Sequence, residues 1–191
     1  MLLFASAGLD SMVKQLIRDT LPIIIRRDAG AHKEFEKFVL KELHVKSIES
    51  SLGALNLKTL ASLIIEDSPK DALIQKLIKA LTSDSLQSVD QLLRVAAHFG
   101  ITASDLYKDL NQLRKVFDVR NRISHEMDID FSQSNRNRFP RRKNDMISYT
   151  NCLLHVADNF FYAADKKLTC SPLHHSVSQI QRNNSLRIAR K

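Results

Sequence analysis

Arg120-Asn121-Arg122-Ile123-Ser124-His125 places an arginine, an asparagine and a histidine within one short stretch. A guanidinium stays charged at any physiological pH and forks onto phosphate oxygens. An imidazole trades a proton near neutral pH. Together they form a minimal kit for breaking a phosphodiester without a metal.

The stretch closes a helix that Thr102-Ala103-Ser104-Asp105 opens as a capping box, with Leu106, Leu110, Leu113 and Phe117 inward. At about 100° per residue, Asn121 and His125 share one face, with Asp118 and Arg122 beside them. Arg120 lies about 140° from His125, nearer the apolar arc of Leu106, Leu113 and Phe117. An unbroken helix therefore holds the two apart. Burying Arg120 without a counter-charge is costly. It calls for an acid, such as Asp10 of the first helix, or for a phosphate.

Periodicity and punctuation give the other elements. A first helix runs from Phe4 to Thr20 with Leu9, Met12, Val13, Leu16 and Ile17 on one face, and Leu21-Pro22 ends it. Ile23-Ile24-Ile25 has no partner strand and reads as a buried connector or the start of the next helix. That helix covers Lys33 to Leu43. Another spans Leu55 to Ile65. Ser68-Pro69-Lys70-Asp71 reads as cap, first turn and capping box of a helix reaching Leu81. Ser83 or Asp84 caps the next, which buries Leu86, Val89, Leu92, Leu93 and Ala96 and ends at Gly100. Asp128 to Lys143 is polar, basic and interrupted by Pro140, hence a loop. The last helix runs from Asn144 to Leu168 with Ile147, Leu153, Val156, Phe160, Phe161 and Ala164 inward. The expected fold is all-α, with extra short helices in the middle: one domain over residues 1–168 and a frayed basic tail over 169–191.

Composition agrees. A chain of 191 residues with four glycines, four prolines and no tryptophan favours helices around one core. Cys152 and Cys170 match neither a zinc spacing nor a disulfide framework, which points to a reducing, cytoplasmic setting. Leu2-Leu3-Phe4-Ala5 lacks the basic flank of a signal sequence, and no stretch approaches a membrane span. His174-His175 lack a third ligand, so neither metal nor cofactor is expected. The net charge of +8 is concentrated. Arg136, Arg138, Arg141, Arg142 and Lys143 stand together without an acid, as do Arg182, Arg187, Arg190 and Lys191, and the remainder is about neutral. Such placement suits a polyanion partner or, more simply, a solvated loop and tail.

Arg120-Asn121 followed by His125, late in a helical chain and before a loop and a final helix, resembles the R-x4-6-H motif of the HEPN superfamily. The opening Phe4-Ala5-Ser6-Ala7-Gly8-Leu9-Asp10-Ser11-Met12 is similar to the bacterial subgroup called RiboL-PSP-HEPN. The resemblance implies an HEPN-like antiparallel helical bundle that dimerises through the motif region, bringing two Arg/His sets into one cleft. The geometric difficulty then has two resolutions: the helix loosens near Ser124, or the set is completed across the dimer. The resemblance also implies metal-independent cutting of RNA, in a toxin or an antiviral abortive-infection effector held in check by a separate antitoxin or sensor protein. The RNA 2′-hydroxyl would attack the adjacent phosphate and leave a 2′,3′-cyclic phosphate, which DNA cannot do. His125 would be general base or acid. Arg120 would meet the charge building on the phosphoryl oxygens. Asn121 would fix the imidazole or hold the phosphate. Arg122, Arg136, Arg138, Arg141, Arg142 and Lys143 would draw RNA in by salt-sensitive contacts. The rivals are a non-catalytic HEPN module that binds RNA or nucleotide, or dimerises to regulate a partner, and a plain helical adaptor with a basic tail.

Overall fold

The structure is a computed structural model that describes residues 1–43, 65, 67–132 and 134–169. Eight helices and no strand are found among the described residues. Apart from Ile65, the expected helix from Leu55 to Ile65 lies outside them, as does the tail from residue 170.

Helix α1 (Leu2–Asp19) buries Leu2, Ser6, Leu9, Val13 and Ile17, a set spaced by three and four residues along one face. Pro22 sits in the first turn of α2 (Leu21–Arg27), where its missing N–H costs nothing. The isoleucine triplet is therefore helical, with Ile24 and Ile25 buried. Asp28 turns extended, and its Oδ1 accepts from the Ala31 amide at 2.9 Å. That bond opens α3 (Ala29–Leu43) earlier than the expected Lys33. Helix α4 (Pro69–Thr82) starts where expected, but Ser68 makes no backbone cap. Its hydroxyl donates to Asp71 at 2.7 Å, and Asp71 also accepts from Arg26 at 2.8 Å, so the carboxylate is drawn away from the box. Both bonds hold the Asp71 carboxyl below its ordinary range, the Ser68 hydroxyl most strongly.

Helix α5 (Val89–His98) is capped by Ser88, which accepts from the Gln91 amide, and not by Ser83 or Asp84. The intervening segment is non-helical because Leu86 is buried there and its amide donates to Asp10 at 2.8 Å. The box at Thr102 forms, with Thr102 N and Oγ1 both donating to Asp105, but it opens only the single turn of α6 (Ala103–Leu106). Tyr107 is extended, and α7 (Leu110–Glu126) begins afresh with the Asp109 carboxylate accepting from Asn111 and Gln112. One expected helix is thus two.

Helix α8 (Lys143–Thr169) lies along α1 and supports α2, α6 and α7. Leu2 shares a cavity with Met146 and Thr150, while Arg27 donates to the Leu168 carbonyl at the other end, so α1–α2 and α8 run in the same direction. Asn159 reaches back to the Leu106 carbonyl, so α7 runs opposite to both. The inward arc of α8 is Thr150, Cys152, Leu153, Val156, Phe160 and Ala164. Ile147 and Phe161, expected inward, fall past its edge with Leu154 and are exposed. No described helix is long and apolar enough to cross a membrane.

Candidate nucleic-acid site

Arg120 leaves α7 toward α1. Its Nε donates to Ser6 Oγ at 3.1 Å and its Nη1 to Asn121 Oδ1 at 2.9 Å. Asn121 Nδ2 in turn donates to the Gln87 carbonyl just before α5, at 2.9 Å. Asp10, the expected counter-ion, is committed elsewhere: it accepts from the Leu86 amide and pairs with Lys14 at 3.0 Å. A backbone amide that must be satisfied and a lysine one turn away hold that carboxylate. Arg120 is therefore half-buried against two neutral oxygens, with no acidic partner among the described residues.

His125 stands exposed in the last turn of α7. The helix does not loosen near Ser124. It ends at Met127 and Asp128, two left-handed residues with φ of 51° and 58°, whose amides both donate to the Arg122 carbonyl. Arg120 and Asn121 are brought together with Ser6 and Gln87, and His125 points away from them. Asn121 Oδ1 and Nδ2 are bonded to Arg120 and Gln87, so its amide fixes the arginine and not the imidazole.

The segment after α7, expected as a plain loop, is a short hairpin. Ile129 and Arg138 form an antiparallel bridge, flanked by bonds from Asp130 N to Asn137 O and from Phe139 N to Asp128 O. Asp128 latches its base by a two-pronged bond from Arg141, 2.9 Å at Nε, which raises the Arg141 pKa above its ordinary value. The guanidinium carbons of Arg122 and Arg141 stand over the Phe139 ring, 5.1 and 5.4 Å from its centre. Of the expected RNA-binding residues, Arg141 is thus occupied by the fold. Arg122 is exposed but stacked on Phe139. Arg136, Arg138, Arg142 and Lys143 are exposed, with no acidic partner among the described residues. Ser6, Gln87 and Phe139 escaped the sequence reading. Only Ser6 left a signal there, standing one helical turn before Asp10 on the same face.

A separate recess, of about 400 Å³, is lined by Tyr107, Gln112, Ser148, Asn151, Cys152 and His155. Its proximity to Cys152, together with burial, pushes the Tyr107 hydroxyl up to about 12. Burial likewise raises the Cys152 thiol, so both groups are neutral near pH 7 and poorly suited to nucleophilic work. No group of three or more His, Cys, Asp or Glu residues is placed to hold a metal ion among the described residues.

The fold and site define an all-helical protein that displays a fixed guanidinium, an exposed histidine and a basic hairpin. In comparisons with protein-family models, curated proteins and solved structures, nothing matches the chain.

Proposed function

We propose that this chain is an HEPN-like endoribonuclease that cuts RNA by attack of the 2′-hydroxyl on the adjacent phosphate, without a metal. The observation that carries the reading is Arg120: a half-buried guanidinium, positioned by Ser6 and Asn121, whose charge no described acid answers. A phosphate is the anion that its free N–H edge fits. His125 supplies the proton transfer, and the exposed arginines of the hairpin draw in the polyanion. Because α7 keeps Arg120 and His125 on different sides, a productive set draws its arginine and histidine from two copies of the chain. Work as a toxin or an abortive-infection effector, restrained by a separate antitoxin or sensor, accords with a cutting activity of this kind.

The separation of Arg120 from His125 within one chain also favours a second reading, a non-catalytic RNA-binding or dimerisation module. Incubating the purified protein with RNA in EDTA and analysing the new ends decides between them. The nuclease reading expects 2′,3′-cyclic phosphate ends that disappear in Arg120→Ala and His125→Ala. Intact RNA, or ends unaffected by both substitutions, sinks it.

A further inference from the structure

The hairpin between α7 and α8 carries more than charge. Phe131, just beyond the Asp130–Asn137 bond, is 61 % exposed and makes no ring contact among the described residues. Asp130 shapes the turn there, accepting at one carboxylate oxygen from the Ser132 amide at 3.0 Å and its hydroxyl at 2.6 Å. Arg138 is opposite Ile129 on the returning arm, and Arg136 precedes it in a left-handed conformation with φ of 49°. The base is held by the Asp128–Arg141 latch and by the two guanidiniums over Phe139. A large aromatic side chain on an anchored arm therefore stands in water, on the same hairpin as arginines that no described acid pairs. A lone exposed apolar residue needs no explanation. A phenylalanine projecting from an anchored arm that also carries exposed arginines, beside the helix end that bears His125, is a different object. Its ring offers a face on which an unpaired base stacks, while the arginines take the flanking phosphates.

We infer that Phe131 is a stacking platform that selects single-stranded over duplex RNA, because bases within a helix present no free face. The inference rests on the RNA reading above and names the form of RNA that the site receives.

A fluorescent 2′-O-methyl oligonucleotide of about 12 nucleotides, which has no free 2′-hydroxyl and cannot be cut, is the probe, with the matching duplex as control. Phe131→Ala is expected to weaken single-strand binding roughly 5- to 30-fold, with Phe131→Tyr close to wild type and duplex binding unmoved by either. Arg136→Gln with Arg138→Gln weakens both forms and flattens the salt dependence. Equal single-strand affinity of wild type and Phe131→Ala overturns the inference. So does Phe131-dependent binding to anionic lipid vesicles with none to RNA. Because the probe is uncuttable, the two proposals fail separately. A wild type that leaves ordinary RNA whole, yet loses single-strand binding on Phe131→Ala, keeps the platform and removes the nuclease.

Discussion

A guanidinium held by a serine hydroxyl and an amide oxygen meets no opposite charge among the described residues, and partial burial makes that expensive until an anion arrives. Arg120 is thus a residue at which function and stability pull apart. Arg120→Met is expected to lower RNA cleavage by about 10²-fold or more while leaving stability unchanged or raised by up to about 1 kcal/mol. Paired cleavage assays and urea titrations check both halves, and a marked loss of stability would assign Arg120 a structural role instead. His98 sets a different pH-dependent balance. Its Nδ1 is buried without a hydrogen-bond partner among the described residues, and burial lowers its pKa from the ordinary 6.5; Glu34 opposes the shift, whereas Arg94 and Lys37 add to it. The fold favours the neutral ring, so below that ordinary value the unfolded chain binds more protons than the folded one. Stability is full above about pH 6.5 and falls as the pH drops toward the depressed value. The urea midpoint should decline from pH 7.5 to about 5.5, and His98→Leu should flatten that decline. An identical slope in the variant would transfer the effect to another group. Asp71 and Asp105, whose pKa values are lowered by Ser68 and Thr102, act only in the more acidic range.

Between helices, single residues serve two elements at once. Asp28 caps α3 through Oδ1 and receives Lys167 of α8 on Oδ2 at 2.6 Å. Gly100, with φ of +66°, closes α5 against the same carboxylate, and an added Cβ would overlap Asp28 Oδ1. Gly100→Ala should therefore cost about 1–3 kcal/mol, read from the denaturant midpoint at constant slope. At the hairpin, Arg141→Ala should speed amide exchange at Asp130 and Phe139 while α7 stays protected, and Arg142→Ala should change neither. Equal protection in Arg141→Ala would show the latch to be dispensable. These junctions also mark where the sequence stops being legible. The box at Thr102 reads correctly because its partners are three residues apart. The break at Tyr107 does not, because Leu106, Leu110 and Leu113 keep helical spacing across it. Ser88 prevails over Ser83 through the buried Leu86 and its bond to Asp10, a choice made 76 residues away. The site divides likewise: Arg120, Asn121 and His125 are readable as types at a spacing, whereas Ser6 and Gln87 reach them only through the packing of α1 and the turn before α5.

Across the whole molecule, the decisive fact is directional. Helix α7 opposes α1 and α8, points Arg120 into the seam with α1, and carries His125 outward beside the hairpin. On an intact helix the two side chains leave about 140° apart, Arg120 toward α1 and His125 toward solvent. Under the nuclease reading, the missing half of each set comes from a second copy related by a two-fold axis, and such an axis makes two equivalent sets. Subunit mixing tests this without a structure of the complex. Arg120→Ala and His125→Ala are each expected to be inactive. Exchanged at equal concentration, half of the dimers become mixed, and each mixed dimer holds one set with both groups and one with neither. Cleavage should return to about one quarter of wild type. A mixture as inactive as its parts, with exchange verified by differently tagged subunits, would place both groups in one chain or require two histidines at each phosphate. Either result rules out one arginine from each copy meeting one histidine from the other.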